Sequence, residues 1–234
     1  MRILAISDIH GCYDQFIKLL EKVDYNSETD SLVLLGDYCD RGLKSRQVID
    51  KCIELRDKGA VTLKGNHDDM FLKWLLTDNE TNLYMFLQNG GIATIESYLG
   101  YDWIEQGLTW ENYQIAKEFI LKHYSHHVKF LKDLQLYHQI DDYVFVHAGV
   151  NPNLESWKNT SGHDFLWIRD EFLSNNHGYE ETIVHGHTPC RLIHGRDDIC
   201  VKKGKISIDG GCCFNGQLNC LEINGTDYVS HYIK

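Results

Sequence analysis

Proline is nearly absent: two residues, Pro152 and Pro189, occur in 234. With no Pro-rich linker, internal repeat or low-complexity tract, the chain offers no point of division, and a single domain over residues 1–234 is expected. Basic residues are also few, 23 Lys and Arg against 34 Asp and Glu, for a formal net charge of -11. That balance argues against a nucleic-acid or anionic-membrane partner, and a phosphate-binding protein this acidic would need cations of its own. Long apolar runs are missing too. The opening "MRILAISDIHG" reaches Asp8 after a run too short for a signal h-region or a membrane span, so the chain reads as soluble and cytoplasmic. The eight cysteines sit at irregular spacings with no C-x-x-C pair, which suggests reduced, buried thiols, the vicinal Cys212 and Cys213 included, rather than a disulfide framework.

What is present is a core-forming composition, 43% hydrophobic, with periodicities that alternate between strand and helix. "RILAIS", "SLVLLG" and "AVTLKG" read as buried strands. "YDQFIKLLEKV", "SRQVIDKCIELRDKG" and "DDMFLKWLLT" between and after them read as amphipathic helices. This β-α-β-α-β-α opening predicts an α/β fold with a mostly parallel sheet under helices. Residues 81–136 are helical and aromatic-rich, a cap or flank inserted between sheet halves. Short strands follow at "YVFVH", "TIVHG", "ISID", "LNCLEI" and "YVSHYI".

Polar residues collect where these strands end: Asp8 and His10 in "SDIHG", Asp37, Asp40 and Arg41 in "GDYCDRG", Asn66 and His67 in "GNHDD", His147 in "FVHAG", and His187 in "VHGHTP". One such group is an ordinary turn. Five of them converge, because the carboxyl ends of parallel strands share one edge of the sheet. Mixed imidazole and carboxylate donors without paired thiols suit Mn, Fe, Co, Ni or Zn. Six candidate ligands are too many for one ion that must keep a place for water. Two ions sharing a carboxylate use them all, with Asp37 the natural bridge. Gly11, Gly36, Gly65 and Gly186 beside the ligands would let the backbone turn tightly.

In this order the five motifs resemble those of the calcineurin-like metallophosphoesterases, and within them the PPP-type serine/threonine protein phosphatases of the short bacterial and phage kind. The resemblance extends from about Ile3 to Ile223 and includes "LQNGG", "FLWIRDEF" and "SIDGGCCFNGQLNCLEI". It implies a four-layer αββα sandwich of two mixed sheets flanked by helices. It also implies two divalent ions, Mn²⁺ foremost and Fe, Zn, Ni or Co as alternatives. Asp8, His10 and Asp37 would hold the first, and Asp37, Asn66, His147 and His187 the second. His67 resembles the general acid, Asp40 the carboxylate that orients it, and Arg41 and Arg169 the phosphate clamps. Hydrolysis would proceed by direct attack of a metal-bridging hydroxide, on phosphoserine or phosphothreonine in proteins. Hydrolysis of dinucleoside polyphosphates is the alternative, since symmetrical diadenosine tetraphosphatases share the scaffold; those read "GDLVARG", with Ala where this chain has Asp40. Pro189 stands where many metallophosphoesterases carry a further histidine ligand, a departure shared with the PPP branch. His185 aligns with no ligand and is expected to be structural, as are His123 and His127, read as a solvated helix face.

Overall fold

Side-chain alternation along the strands divides the core into three. In the computed structural model, which describes residues 2–234, β1 (Arg2–Ile6), α1 (Tyr13–Lys22), β2 (Asp30–Leu34), α2 (Ser45–Asp57), β3 (Val61–Thr62) and α3 (Asn66–Leu76) follow in the expected order. Next come α4 (Glu80–Gln88), α5 (Gly91–Leu99), α6 (Trp110–His123) and α7 (Ser125–Lys132). The remainder comprises β4 (Tyr137–Ile140), β5 (Tyr143–Val146), α8 (Gly162–Trp167), α9 (Asp170–Ser174), β6 (Thr182–His185), α10 (Cys190–His194), β7 (Cys200–Lys202), β8 (Lys205–Ser207), β9 (Leu218–Asn224) and β10 (Asp227–Ile233).

Leu4, Ile6, Leu32 and Leu34 face outward into a core built with α1 to α7. Ile3, Ala5 and Val33, on the other face of the same strands, meet Phe145, Val184 and Ile206 of a second sheet. Behind that sheet Val144, Val146 and Ile183 pack under Trp157, Phe165 and Phe172. The period of two thus gives each sheet two buried faces, and the layers run helix, sheet, sheet, helix. The first sheet has the order β10-β9-β1-β2-β3 and the second β4-β5-β6-β8-β7. In the first sheet β1, β2 and β3 pair in parallel while β9 pairs antiparallel with both β1 and β10; in the second β5, β6 and β8 pair in parallel and the edge strands β4 and β7 pair antiparallel. Among the described residues no helix is long and apolar enough to cross a membrane.

Residues 81–136 settle as a flank: Phe86, Ile95, Tyr113, Ile120 and Phe130 join the same outer core as α1 and α2. The third strand is shorter than "AVTLKG" suggests. Only Val61 and Thr62 pair with β2, after which Leu63 bridges to Gln135 and the Lys64 amide donates to the Gln135 carbonyl at 2.7 Å. That early departure carries Gly65 and Asn66 off the sheet plane toward the carboxyl edge.

Candidate metal centre

Asp68 organises the loops that deliver the ligands. Placed at the third residue of α3, its Oδ2 accepts from the amides of Asp37 and Gly65, both at 2.8 Å, and its Oδ1 from Tyr38 N at 3.0 Å. One buried carboxylate therefore starts α3 at Asn66 and pins the loop after β2 against it. Gly65 has no room for a side chain: a Cβ there would lie 2.0 Å from Asp37 Oδ1. Of the nine non-glycine residues with positive φ among the described residues, six are Asp8, His10, Asp37, Asp40, Arg41 and His187. Such backbone costs of order 1 kcal/mol each and persists where surrounding contacts impose it, a pattern typical of functional sites.

Asp37 is the centre of the arrangement. Its Oδ2 lies 3.4 Å from His10 Nε2, 3.5 Å from His147 Nε2 and 4.0 Å from His67 Nε2. Burial alone would raise its carboxyl, but His147, His67 and His10 outweigh it and hold Asp37 well below the usual carboxylate range. Two groups of ligand atoms, each within 4.8 Å of one another, share this residue: His10, Asp37 and His67, and Asp37, His147 and His187.

The imidazole tautomers point lone pairs at that centre. His10 Nδ1 donates to the Cys39 carbonyl at 2.8 Å and His147 Nδ1 to the Leu35 carbonyl at 2.9 Å, which leaves each Nε2 as a donor of electrons. His147 Nε2 then faces Asn66 Oδ1, a second acceptor, at 2.9 Å. His187 Nε2 is buried with no hydrogen-bond partner among the described residues. Burial, then the charges of His147 and Arg169, push its pKa down to about 2, so the ring is neutral. An orphaned imidazole nitrogen and two facing acceptors are what a cation would satisfy, and the borderline N and O donor set suits a transition-metal dication. Asp8 Oδ2 accepts from the Ser7 hydroxyl and from His187 N, the latter at 2.9 Å. Its Oδ1 accepts no hydrogen bond among the described residues.

Beside this centre, His67 Nδ1 lies 2.7 Å from Asp40 Oδ2, both residues fully buried. Arg41 spans His10 Nε2 at 2.7 Å and His67 Nε2 at 2.9 Å, with Phe214 stacked 4.8 Å from its guanidinium carbon. Arg169 is exposed and donates to Thr188 Oγ1 at 3.2 Å.

A profile of the calcineurin-like phosphoesterase family matches residues 1–231. The chain belongs to that family. Among curated relatives, an asymmetrical bis(5'-nucleosyl)-tetraphosphatase PrpE of Anoxybacillus flavithermus is 28% identical over 96% of this chain and 91% of its own. Serine/threonine-protein phosphatase 1 of Salmonella typhimurium is 27% identical over 94% and 90%. The cold-active protein-tyrosine phosphatase of a psychrophilic Shewanella superposes with a TM-score of 0.59 at 16% identity, over the whole chain and 80% of that structure, a likeness of fold.

Within this calcineurin-like framework the structure brings nine of the ten residues singled out from the sequence to one edge around Asp37, and Arg169 beside His187. Asp68 was not among them. It stands in the quoted "GNHDD", and only its third helical position hints at an N-terminal acceptor. Asp209 also escaped notice; its Oδ1 accepts from Gly211 N at 2.8 Å, holding the turn that leads to Phe214, and burial and then Asp8 push its carboxyl well above the usual range. His185 faces away: its Nε2 meets Ser207 Oγ at 2.7 Å and its ring packs on Phe172 at 5.0 Å. The solvated face expected of His127 is corrected. The helix breaks at Tyr124, which removes the i, i+4 relation to His123, and buried His127 bridges Tyr98 Oη at 2.7 Å and Asp50 Oδ1 at 2.8 Å.

Proposed function

We propose that the chain is a phosphatase dependent on two divalent ions, Mn²⁺ foremost, that hydrolyses phosphomonoesters, above all phosphoserine and phosphothreonine in proteins. Asp8, His10 and Asp37 would hold one ion, and Asp37, Asn66, His147 and His187 the other. When bound, the ions offset charge on phosphoryl oxygens and make water acidic enough to serve as nucleophile near neutrality.

The observation that carries the substrate reading is the buried His67–Asp40 pair, 2.7 Å apart with His67 Nε2 4.0 Å from Asp37 Oδ2. With Nδ1 donating to Asp40, Nε2 is the nitrogen turned to the site; it accepts from Arg41 at 2.9 Å and is the atom through which His67 would pass a proton to a leaving group. A serine or threonine alkoxide is a poor leaving group and needs that proton. A nucleotide released from a polyphosphate leaves as a stable anion and needs none. Arg41 and Arg169 present planar forks of donors matched to phosphate oxygens.

A second reading, hydrolysis of dinucleoside polyphosphates, rests on the relative from Anoxybacillus flavithermus, whose name specifies that activity and whose match is nearly full-length. One metal-loaded preparation offered phosphoserine peptide, an aryl phosphate and diadenosine tetraphosphate separates the two. The expected result is the highest kcat/KM on the peptide, abolished by chelation and restored by Mn²⁺. A higher kcat/KM on diadenosine tetraphosphate would transfer the assignment to the second reading, and full turnover in a preparation shown to be metal-free would overturn both.

A further inference from the structure

The "LQNGG" segment and the helix it opens contribute no ligand, yet they reach the catalytic pair. The Gly90 carbonyl accepts from Arg41 N at 3.1 Å, and four residues on, in α5, Thr94 is completely buried. A threonine inside a helix commonly donates back to its own preceding turn. Thr94 instead spends its hydroxyl on Asp40, 54 positions earlier. Its Oγ1 accepts from Asp40 N at 2.8 Å and donates to Asp40 Oδ1 at 2.7 Å. The two bonds close a small ring on one residue and hold it at φ 71°, where side chains are seldom found.

The consequence falls on the other oxygen. Asp40 Oδ2 meets His67 Nδ1, while Thr94 is the one donor to Oδ1 among the described residues. Without it a buried carboxylate oxygen is left unpaired, and the group is free to rotate and compete for the same imidazole proton. The Asp40 amide is less exposed to the change, because Ser45 Oγ also accepts from it at 3.1 Å.

We propose that Thr94 is a positioning residue for proton delivery: by fixing the Asp40 carboxylate it sets the orientation and tautomer of His67, and so places the flanking helices in command of the reaction centre. The proposal rests on the reading of His67 and Asp40 as the acid pair. Thr94→Val removes the donor at nearly constant volume. Its kcat on phosphoserine peptide should fall about 10- to 100-fold, the usual cost of losing the partner that orients an active group, with KM and metal content little changed. On an activated aryl phosphate, which needs no proton, the loss should be slight, and Thr94→Ser should restore the peptide rate. Equal losses on both substrates, loss of an ion, or failure of Thr94→Ser to rescue would overturn the proposal. Asp40→Asn run in parallel separates the two levels. If Asp40→Asn shows no dependence on the leaving group, the acid pair itself is misassigned. If it shows one and Thr94→Val does not, Thr94 alone is. Should Thr94→Val fail to fold, Thr94→Ala gives the same comparison without the methyl group that valine puts in place of the hydroxyl.

Discussion

The amide of His187 donates to Oδ2 of Asp8 at 2.9 Å, joining residues 179 positions apart. His187 follows β6 of the second sheet and Asp8 follows β1 of the first, so this bond ties the carboxyl edges of the two sheets at the point where the ligand groups meet. Gly186 permits the approach, since a Cβ there would overlap Ser7 Oγ and Asp8 Oδ2.

His187→Ala removes the orphaned Nε2 and should lose one of two ions together with most activity, as measured by elemental analysis of the purified protein. His185→Ala should keep both ions. It should still lower stability by about 1–3 kcal/mol, because Ser207 loses its buried partner. The reverse pattern of metal loss would mean that the wrong imidazole of "VHGHTP" has been assigned.

His67→Asn should retain both ions and lose about 10²–10⁴-fold in kcat on phosphoserine peptide, the usual worth of a positioned acid. On an activated aryl phosphate the loss should be far smaller. A plot of log kcat against leaving-group acidity is the check: the variant's slope should be steeper than the wild type's, and parallel lines would exclude proton donation by His67.

Asp68→Asn tests the residue that the motif reading passed over. The amide offers one acceptor oxygen where the carboxylate serves three backbone donors. Loss of about 2–3 kcal/mol in denaturant unfolding is expected, with metal affinity weakened about 10- to 100-fold through Asp37 and Asn66. Unchanged affinity in calorimetric titration would confine Asp68 to stability.

Burial, opposed by the hydrogen bond to Asp50, lowers the pKa of His127 from 6.5 to about 4. The unfolded chain therefore binds the extra proton between those values, so stability is complete above pH 6.5 and declines as pH falls toward 4. At about 1.4 kcal/mol per unit the contribution is at most ~3.5 kcal/mol. His127→Gln, which does not titrate, should narrow its stability gap to wild type as pH drops from about 7.5 to about 5. A gap constant with pH would show that His127 is not the titrating group.

The candidate site was legible because each candidate ligand follows an apolar run, and a strand ending in Asp, Asn or His at a Gly-rich turn is a pattern visible without coordinates. The interior supports were not. Asp68 looks like any acidic residue in a first helical turn, and Thr94 like any small residue on a helix; what distinguishes them is a partner 54 positions away for Thr94 and about 30 for Asp68. Strands β4 and β7 were missed for another reason. Tyr137–Ile140 alternates exposed and half-buried positions and Val201 is 44% exposed, so neither edge carries the apolar density that marks a central strand. The helices α9 and α10, five residues each, are too short to show a period.

The place of β1 bears on how the chain comes off the ribosome. It precedes the other described strands in the chain and is the central strand of its sheet, with β2 on one side and β9 on the other, where Ile3 faces Ile223. During synthesis β2 emerges soon after it, but the opposite edge of β1 stays bare until residues 218–224 are released. A nascent chain therefore carries an open, apolar strand edge until β9 is released, a surface on which chaperones or neighbouring chains can act. His187 follows the other candidate ligands in the chain, so on the proposed assignment a stalled chain ending before β6 would carry Asp8, His10 and Asp37 but lack His187.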